Sequence, residues 1–564
     1  MSQHRKWMHA AGLAAALTFS VVVQAQDVKR LEAVADSFAA TSKFSGTVLV
    51  AKGDRVLLDK GYGSANLEWN IPNAPSTKFR LGSVTKQFTA AGVLLLEDRG
   101  KLKVSEPVSK YLPDLPAAWS KITIAQLLNH TSGIANFTSQ KEYQSIEPFT
   151  KKPAEIAALV RDLPLRFESG SKFEYSNTGY VLLGQLIEQV SGDSYATFLR
   201  KNIFEPLGMK DTGYDWNAAI LPNRAAGYAR GKSGIANAGF INMSIPHGAG
   251  ALYSTTADLL RWQRALYEGK LLSAGALQAM TTAYQSGYGY GLAVREAPGS
   301  KELAHNGGIE GFSTELHYRV ADKISVIVLS NVEGSQLDPF SYALSAVARG
   351  DTTLLPSERK AVALTPEQVS SVLGAYAMPN GRRFWVRERG GQMTARLDGQ
   401  RALPVYAESP DRFFGRLIDA QGEIKRNAAG AVESITLVQG GRRIPMLKVP
   451  DVEPDYDTAA LYLRGDMNEW GIRDRLQKTG AGSYAATIEL APGRYDFKVG
   501  SEDFKTVDLG GLEDDQQVAL GAAQVMDAVG PNLSVEIPRP GKYTFILNVA
   551  NAQEPVINVA PAAP

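Results

Sequence analysis

Hydrophobic and polar residues follow two different periods near the start of the chain. Residues 28–40 place apolar side chains three and four positions apart, which predicts an amphipathic helix. Residues 45–51 and 55–59 are rich in apolar and β-branched side chains and flank a Lys-Gly-Asp turn, which predicts a β-hairpin. The first predicted elements are therefore a helix and a pair of antiparallel strands.

A second hairpin is predicted near residue 320. Residues 314–319 and 324–329 flank a short turn, and the apolar periodicity of residues 338–348 predicts a helix after it. Strand pairs on both sides of a long helical middle indicate an antiparallel sheet covered by helices. We therefore predict one domain of the α/β (α+β) class over residues 28–350.

Short strands separated by glycines dominate the rest of the chain. Alternating stretches such as residues 383–387 predict a small β-barrel or sandwich domain over residues 365–449, and a second all-β domain is predicted over residues 457–552. Polar or Ala/Pro-rich sequence without periodicity predicts a linker over residues 351–364 and a disordered tail over residues 553–564.

Composition narrows the class of protein without changing this architecture. Of the 564 residues, 44% are hydrophobic and 21% are charged, which is typical of globular domains. The formal net charge of +2 gives no general attraction to nucleic acid or to an anionic membrane. The chain has no cysteine, which excludes disulfides, thiolate metal ligands and a cysteine nucleophile.

The N-terminus has the pattern of an export signal. Two basic residues precede an apolar stretch over residues 10–23, and Ala25 ends a small-residue cleavage site. The apolar stretch is shorter than a membrane-spanning helix requires. We predict a signal peptide over residues 1–25, a mature chain that begins near Gln26, no later membrane span, and a periplasmic or secreted location. An uncleaved anchor is the alternative.

A serine and a lysine lie three residues apart where a loop runs into a helix. Ser83 and Lys86 belong to the segment 79–90, and residues with this spacing on a helix share one face, with Cβ atoms about 5–6 Å apart. A serine hydroxyl needs such a partner to become nucleophilic. The lysine can act as a base only if desolvation or nearby positive charge lowers its pKa. Ser169 and Lys172 have the same spacing without the helical context, so the spacing alone does not identify a site.

Two later segments offer matching chemistry. Tyr175 and Asn177 lie two apart at a turn before a helical stretch, so both side chains can face one cleft. A phenolate beside ammonium groups has a lowered pKa and can transfer a proton, and the asparagine amide can bind substrate. Further on, Gly307 and Gly308 follow His305 and let a backbone edge approach a ligand.

These segments, in this order, resemble the serine β-lactamase and penicillin-binding protein superfamily, and within it the class C β-lactamase, D,D-peptidase and esterase branch. The similarity extends over residues 28–350 and includes residues 127–133, 206–209 and 248–255. The resemblance implies a β-lactamase/transpeptidase-like domain with an antiparallel sheet flanked by helices, here followed by two small all-β domains. It implies a small-molecule or peptide substrate, no metal and no organic cofactor.

The resemblance also implies a role for each residue. Ser83 is the nucleophile that becomes acylated, Lys86 is its activating partner, and Tyr175 is the general base and acid. Asn177 binds substrate through its amide. The backbone N–H groups of Ser83 and Gly308 form the oxyanion hole.

His305 departs from the family pattern, because many relatives have a lysine there in a Lys-Thr-Gly motif. Histidine is mostly neutral at pH 7 and binds a substrate carboxylate less strongly than lysine. We therefore interpret the chain as an exported serine hydrolase that acts on an amide or ester, either a D-amino-acid peptide or a small ester. A β-lactamase, a penicillin- or peptidoglycan-binding receptor without turnover, and a mainly glycan-binding protein are the alternatives.

The other histidines of the globular part are predicted to be structural. His130, in an Asn-His-Thr-Ser-Gly loop, is expected to make hydrogen bonds rather than to act in catalysis. His247 and His317 show no metal-ligand spacing. We therefore expect no metal site.

The last β-domain resembles the starch- and glycogen-binding immunoglobulin-like modules in residues 461–471 and 493–500. By that resemblance Trp470, Lys498 and Phe504 fall at glycan-facing positions, where aromatic faces stack on sugar rings. Phe504 stands where stronger binders have a second tryptophan. A purely structural module is therefore the alternative to glycan binding.

Overall fold

The structure is a computed structural model that separates into two units, Met1–Thr353 and Leu354–Pro564. It describes residues 28–231, 234–297, 299–351, 358–389, 391–397, 402–416, 420–439, 442–451, 456, 458–504, 506–512, 516–528, 530–552 and 554–562. The predicted signal peptide and part of the predicted linker lie outside the described residues.

A six-stranded antiparallel sheet forms the centre of the first unit. Its strands are, in spatial order, Ala293–Ala297, Ser300–Ile309, Phe312–Arg319, Ile324–Ser330, Gly46–Lys52 and Arg55–Tyr62. Both predicted hairpins are confirmed. They join into one sheet because Gly46–Lys52 pairs with Ile324–Ser330 along the full length of both strands. Every residue of Phe312–Arg319 and Ile324–Ser330 is buried, so this part of the sheet is covered on both faces.

The described part of this unit also contains longer and shorter α-helices. The longer ones are residues 28–42, Thr85–Asp98, Asn177–Ser191, Thr256–Tyr267 and Asp338–Arg349. The shorter ones are Ile124–Leu128, Tyr143–Ile146, Pro153–Ala158, Tyr195–Leu199 and Ala274–Met280. The predicted helices at residues 28–40 and 338–348 are confirmed. Across the described ranges, no helix combines the length and the apolar character needed to cross a bilayer.

Short strands complete the first unit. They are Ser64–Asn66, Ile71–Pro72, Phe79–Arg80, Gly213–Tyr214, Tyr228–Gly231, Gly234–Asn237 and Leu252–Ser254. Leu252–Ser254 pairs with both Phe79–Arg80 and Gly213–Tyr214, which fixes the segment that leads into the predicted nucleophile.

The helix Thr85–Asp98 lies in the interior of this unit. Its first three turns are buried on all sides, and Phe88 stacks on Trp262 with ring centroids 4.0 Å apart. The indole Nε1 of Trp262 donates a hydrogen bond to Gln87 Oε1 at 3.0 Å. Burial of its apolar side chains in the core stabilises this helix. It is therefore a firm support for side chains at its N-terminal end.

The second unit begins with a closed eight-stranded barrel, which decides between the predicted barrel and sandwich. The helix Pro366–Val372 precedes its strands Gly374–Ala377, Arg383–Arg389, Gln392–Leu397, Leu403–Ser409, Arg412–Gly415, Ala420–Arg426, Val432–Gln439 and Arg442–Val449. Phe384 and Phe413 belong to a buried cluster with Ile435 and Met446. These aromatic side chains are part of a packed core.

Two further sheets follow the barrel in the same unit. One contains Tyr462–Gly465, Asp474–Arg475, Gly493–Gly500, Asp508–Gly510, Gln517–Val518, Asp527–Ala528 and Leu533–Ile537. The other contains Gln477–Gly480, Ser483–Leu490, Ala523–Val525, Gly541–Asn548 and Val556–Pro561. Phe497 and Phe545, one from each sheet, meet in a shared core with ring centroids 5.2 Å apart.

The prediction of a disordered tail over residues 553–564 is wrong for most of that segment. Val556–Pro561 is a strand that pairs with Gly541–Asn548. Ile557 and Val559 alternate with more exposed residues and are buried in the shared core. Burial of these two side chains accounts for the order of the segment.

Candidate active site

Ser83 lies in a short 3-10 turn, Gly82–Val84, which runs directly into the helix Thr85–Asp98. Gly82 has φ +51°, a backbone conformation that glycine adopts at no steric cost. The Ser83 side chain is partly exposed, whereas the helix residues that follow it are buried. The turn therefore presents the serine hydroxyl at the edge of the core.

Two glycines allow the strand Ser300–Ile309 to lie against this turn. A Cβ atom added at Gly82 would lie 2.8 Å from the carbonyl oxygen of Gly308. One added at Gly307 would lie 2.0 Å from the carbonyl oxygen of Leu81, which already accepts a hydrogen bond from Thr314 Oγ1 at 2.8 Å. The sequence therefore needs glycine at both positions to bring the predicted oxyanion-hole residues, Ser83 and Gly308, close to each other.

Lys86 is 0% exposed, and its amine touches three groups. Nζ lies 3.0 Å from Ser83 Oγ, 2.7 Å from Asn177 Oδ1 and 2.9 Å from the carbonyl oxygen of Ala249. Burial lowers the pKa of Lys86 well below its ordinary value. Burial therefore shifts the equilibrium of this side chain toward the neutral amine.

The three partners determine where the two hydrogens and the lone pair of a neutral Lys86 amine point. A neutral amine has two N–H groups and one lone pair. The carbonyl oxygen of Ala249 and the amide oxygen of Asn177 can only accept hydrogen bonds, so they take the two N–H groups. The lone pair then faces the hydroxyl of Ser83. This is the arrangement in which Lys86 can remove the serine proton.

Asn177 is held from both sides. While its Oδ1 accepts from Lys86, its Nδ2 donates to Thr138 Oγ1 at 3.3 Å. Its backbone N–H donates to Asn136 Oδ1 at 3.0 Å. The amide therefore orients Lys86 in the structure, and direct substrate binding by Asn177 stays a prediction.

Tyr175 lies beside the same amine, with Lys86 Nζ 4.8 Å from the centroid of its ring. Its hydroxyl is buried and makes no hydrogen bond of good geometry to the described residues, with the Ser83 hydroxyl as its polar neighbour. Burial raises the pKa of Tyr175, and the neighbouring Ser83 hydroxyl only partly opposes that rise. The predicted lowering of this pKa is therefore wrong, because desolvation outweighs any attraction from the buried amine. Tyr175 is a phenol that can donate a proton.

His305 is 5% exposed, and both of its ring nitrogens have partners in the protein. Nδ1 lies 2.5 Å from the carbonyl oxygen of Asn306, an acceptor, so Nδ1 carries the hydrogen. Nε2 therefore accepts from the hydroxyl of Tyr288 at 2.7 Å. Burial lowers the pKa of His305 to about 3. His305 is neutral and offers no positive charge to a substrate carboxylate.

The profile of the beta-lactamase family matches residues 31–348, more than half of the chain. This protein belongs to the beta-lactamase family. It is a serine hydrolase of the β-lactamase fold, as its relatives are. Within the family, its membership in the class C β-lactamase, D,D-peptidase and esterase branch stays a prediction.

Two curated proteins and one solved structure illustrate the similarity of this family member. Penicillin-binding protein 4* of Bacillus subtilis is 28% identical over 73% of this chain and 97% of its own length. Teichoic acid D-alanine hydrolase of Staphylococcus aureus is 30% identical over 53% of this chain and 73% of its own length. The structure of D-amino acid amidase from Ochrobactrum anthropi SV3 with L-phenylalanine amide gives a TM-score of 0.51 at 25% identity, covering 58% of this chain and 98% of that one.

Several residues that contact the predicted catalytic side chains were not predicted from the sequence. Ala249 contributes only a carbonyl oxygen, and its sole sequence signal is its position in the family-like segment 248–255. Thr138, Asn136 and Tyr288 lie in or next to short 3-10 turns without sequence periodicity, so nothing in the sequence places them next to the motifs. Within the described ranges, no group of three or more acidic or histidine side chains is arranged to hold a metal ion.

The three candidate glycan-binding residues gather around one arginine of the last module. The Arg464 guanidinium lies 3.9 Å from the centroid of Phe504 and donates to the carbonyl oxygen of Trp470 at 2.7 and 2.9 Å. Lys498 lies 5.6 Å from the same centroid and is ion-paired with Asp508. Arg464 therefore covers one face of Phe504, and glycan binding stays a prediction.

The burial of Lys86 predicts how stability depends on pH. The pKa of Lys86 is about 10.4 in the unfolded chain and lower in the folded one. Between those values the unfolded state binds more protons, so raising the pH stabilises the folded state. Urea denaturation should give a free energy of unfolding that rises more steeply with pH in the wild type than in Lys86→Met, by about 1 kcal/mol per pH unit. Parallel curves between pH 8 and 10 would show that Lys86 keeps its ordinary pKa.

Proposed function

We propose that Ser83 is the residue acylated by an amide or ester substrate and that neutral Lys86 is its base. The observation that carries the proposal is the complete burial of an amine that lies in contact with the Ser83 hydroxyl. Two of its three polar neighbours accept its N–H groups, and the third is the hydroxyl of Ser83. No other protonation pattern of the neutral amine fits these partners.

Acylation then follows from the positions of three side chains. Lys86 takes the proton of Ser83 while Oγ attacks the carbonyl carbon, and the oxyanion accepts hydrogen bonds from the N–H groups of Ser83 and Gly308. Tyr175 gives its phenolic proton to the leaving nitrogen or oxygen as that bond breaks. The Lys86 ammonium passes its proton to the resulting phenolate, so both groups regain their starting states.

Deacylation uses the same groups in reverse. A water molecule enters where the leaving group was and gives a proton to the neutral amine of Lys86 as it attacks the acyl carbon. The second tetrahedral intermediate uses the same oxyanion hole. Its collapse breaks the bond to Ser83 Oγ, which recovers the proton, and the acid product leaves.

We further propose that the substrate is a D-aminoacyl ester or amide with no carboxylate beside the scissile bond. His305 is neutral, and both of its nitrogens are bonded within the protein. A β-lactam or a D-Ala-D-Ala peptide presents a carboxylate that this site does not match with a charge. The names of two relatives, a teichoic acid D-alanine hydrolase and a D-amino acid amidase, support the same class of substrate.

A matched pair of substrates tests this preference. The wild-type protein is expected to hydrolyse D-Ala-D-Ala amide at least as well as D-Ala-D-Ala, because removal of the terminal carboxylate costs no ion pair. D-amino-acid esters and amides should also be turned over faster than nitrocefin. A kcat/KM about tenfold or more higher for the free carboxylate, equivalent to about 1.4 kcal/mol, would contradict the assignment. Stoichiometric acylation by nitrocefin without turnover of any substrate would favour a penicillin-binding receptor.

We also propose that the protein is exported. Residues 1–25 have the basic, apolar and small-residue pattern of a signal peptide, and a cell-wall polymer named in one relative lies outside the cytoplasm. N-terminal sequencing of protein from the periplasmic or culture fraction should begin near Gln26. An intact Met1 on exported protein would favour an uncleaved anchor.

A further inference from the structure

His130 binds the backbone on both sides of Tyr175. It lies in the loop after the helix Ile124–Leu128 and is 1% exposed. Its carbonyl oxygen accepts the N–H of Glu174 at 3.0 Å, and its ring Nδ1 accepts the N–H of Ser176 at 3.2 Å. One residue therefore fixes both neighbours of the proposed proton donor.

The ring of His130 also packs against Tyr175 itself. The two ring centroids are 4.2 Å apart, with an angle of 39° between the planes. The rings of Tyr180 and Tyr288 lie around the same histidine at 5.2 and 4.8 Å. In a close-packed interior, a ring in such contact cannot turn without displacing its neighbours. His130 therefore restrains the Tyr175 side chain as well as its backbone.

The backbone of His130 is in an unfavourable conformation. Its φ is +59°, in the left-handed region that non-glycine residues seldom adopt. Such a residue persists only where surrounding contacts determine it, and such residues cluster near functional sites. Here those contacts are the two hydrogen bonds from Glu174 and Ser176.

The protonation state of the ring follows from its partner. Nδ1 accepts an N–H group, so the imidazole is neutral and its hydrogen is on Nε2. Burial lowers the pKa of His130 well below its ordinary value and keeps this state. Nε2 has no hydrogen-bond partner among the residues that the structure describes. The only hydrogen bond that the ring contributes is therefore the one at Nδ1.

We propose that His130 is a positioning residue, which holds the Tyr175 hydroxyl in place beside Ser83 and Lys86. The inference rests on the proposed role of Tyr175 as proton donor. His130 does not touch the reacting atoms, so its effect on catalysis passes through Tyr175.

Three variants separate positioning from simple packing. His130→Ala removes the acceptor and the ring, and we expect kcat for a D-amino-acid amide to fall about 100-fold with little change in KM, as a misplaced catalytic group produces. Asparagine tolerates the left-handed backbone and offers an amide oxygen near the position of Nδ1. His130→Asn should therefore keep kcat within about tenfold of the wild type, whereas His130→Gln should lose as much as His130→Ala.

A double-mutant cycle with Tyr175→Phe gives the decisive readout. If His130 acts through Tyr175, His130→Ala should lower kcat less than about twofold in the Tyr175→Phe background. An equal fold-loss in both backgrounds would overturn the inference and leave His130 a general stabiliser of the fold. If His130→Ala fails to fold, the comparison of His130→Asn with His130→Gln decides, and equal activities of these two would overturn it.

Failure of this inference differs from failure of the proposed function. Tyr175→Phe with wild-type kcat would contradict the role of Tyr175 itself. A large loss in Tyr175→Phe together with full activity in His130→Ala would contradict only the positioning role.

Discussion

Replacement of Ser83 with alanine is expected to abolish hydrolysis of a p-nitrophenyl ester by the purified mature protein. The variant loses the atom that we propose becomes acylated, so kcat should fall by on the order of 10⁴-fold or more. Ser83 is partly exposed and fills no core space, so the thermal midpoint should stay within about 2 °C of the wild type. Initial rates of ester hydrolysis check the loss of kcat, and thermal unfolding checks the unchanged midpoint.

The chain contains a matched control for this change. Ser169 and Lys172 have the same spacing as Ser83 and Lys86, but the Ser169 hydroxyl donates to the carbonyl oxygen of Ser132 at 2.8 Å. Ser169→Ala should therefore keep the wild-type kcat. Equal activity of Ser83→Ala and wild type would end the assignment of the nucleophile.

Replacement of Lys86 is the second change with a large expected effect. Lys86→Met removes the base and leaves the oxygens of Asn177 and Ala249 without their donor, so kcat should fall about 10³-fold. Lys86→Arg tests the protonation state, because arginine keeps a positive charge and cannot serve as a base near pH 7. Both variants should be inactive in the same ester assay.

The activity of Lys86→Arg distinguishes a lysine that acts as a neutral base from one that acts as a fixed positive charge. If a fixed positive charge were sufficient, Lys86→Arg would retain activity within about tenfold of the wild type, and the neutral-base account would be wrong. Lys172→Met changes the exposed lysine of the matched motif and should leave kcat unchanged.

Much of the fold was predictable because its periodic elements are also its buried ones. The hairpin over Gly46–Lys52 and Arg55–Tyr62 and the helix Asp338–Arg349 have apolar patterns that match their burial. The strand Val556–Pro561 was missed because a short Val/Ala/Pro-rich stretch gives no turn signal. Its partner strand, Gly541–Asn548, lies within the predicted domain 457–552. Local sequence does not reveal a partner strand, since pairing depends on the rest of the sheet.

The candidate site was predictable at the level of motifs and not of electrostatics. The structure brings Ser83, Lys86 and Tyr175 together, as their motifs indicate. Burial then determines the protonation of each group, and the sequence does not state how deeply a polar side chain is buried. That is why Tyr175 has a raised pKa instead of a lowered one. The neutral state of His305 agrees with the expectation from the sequence, whereas its partner Tyr288 has no sequence signal.

In the proposed mechanism, a neutral Lys86 converts Ser83 into the group that carries the acyl chain. Peptide mapping by mass spectrometry, after an acid quench of the protein with a slowly hydrolysed D-aminoacyl ester, tests it most directly. The account predicts one acyl increment on the peptide that contains Ser83, with none in Ser83→Ala and little in Lys86→Arg. An acyl group on another residue, or equal labelling of Ser83 in Lys86→Arg, would contradict it.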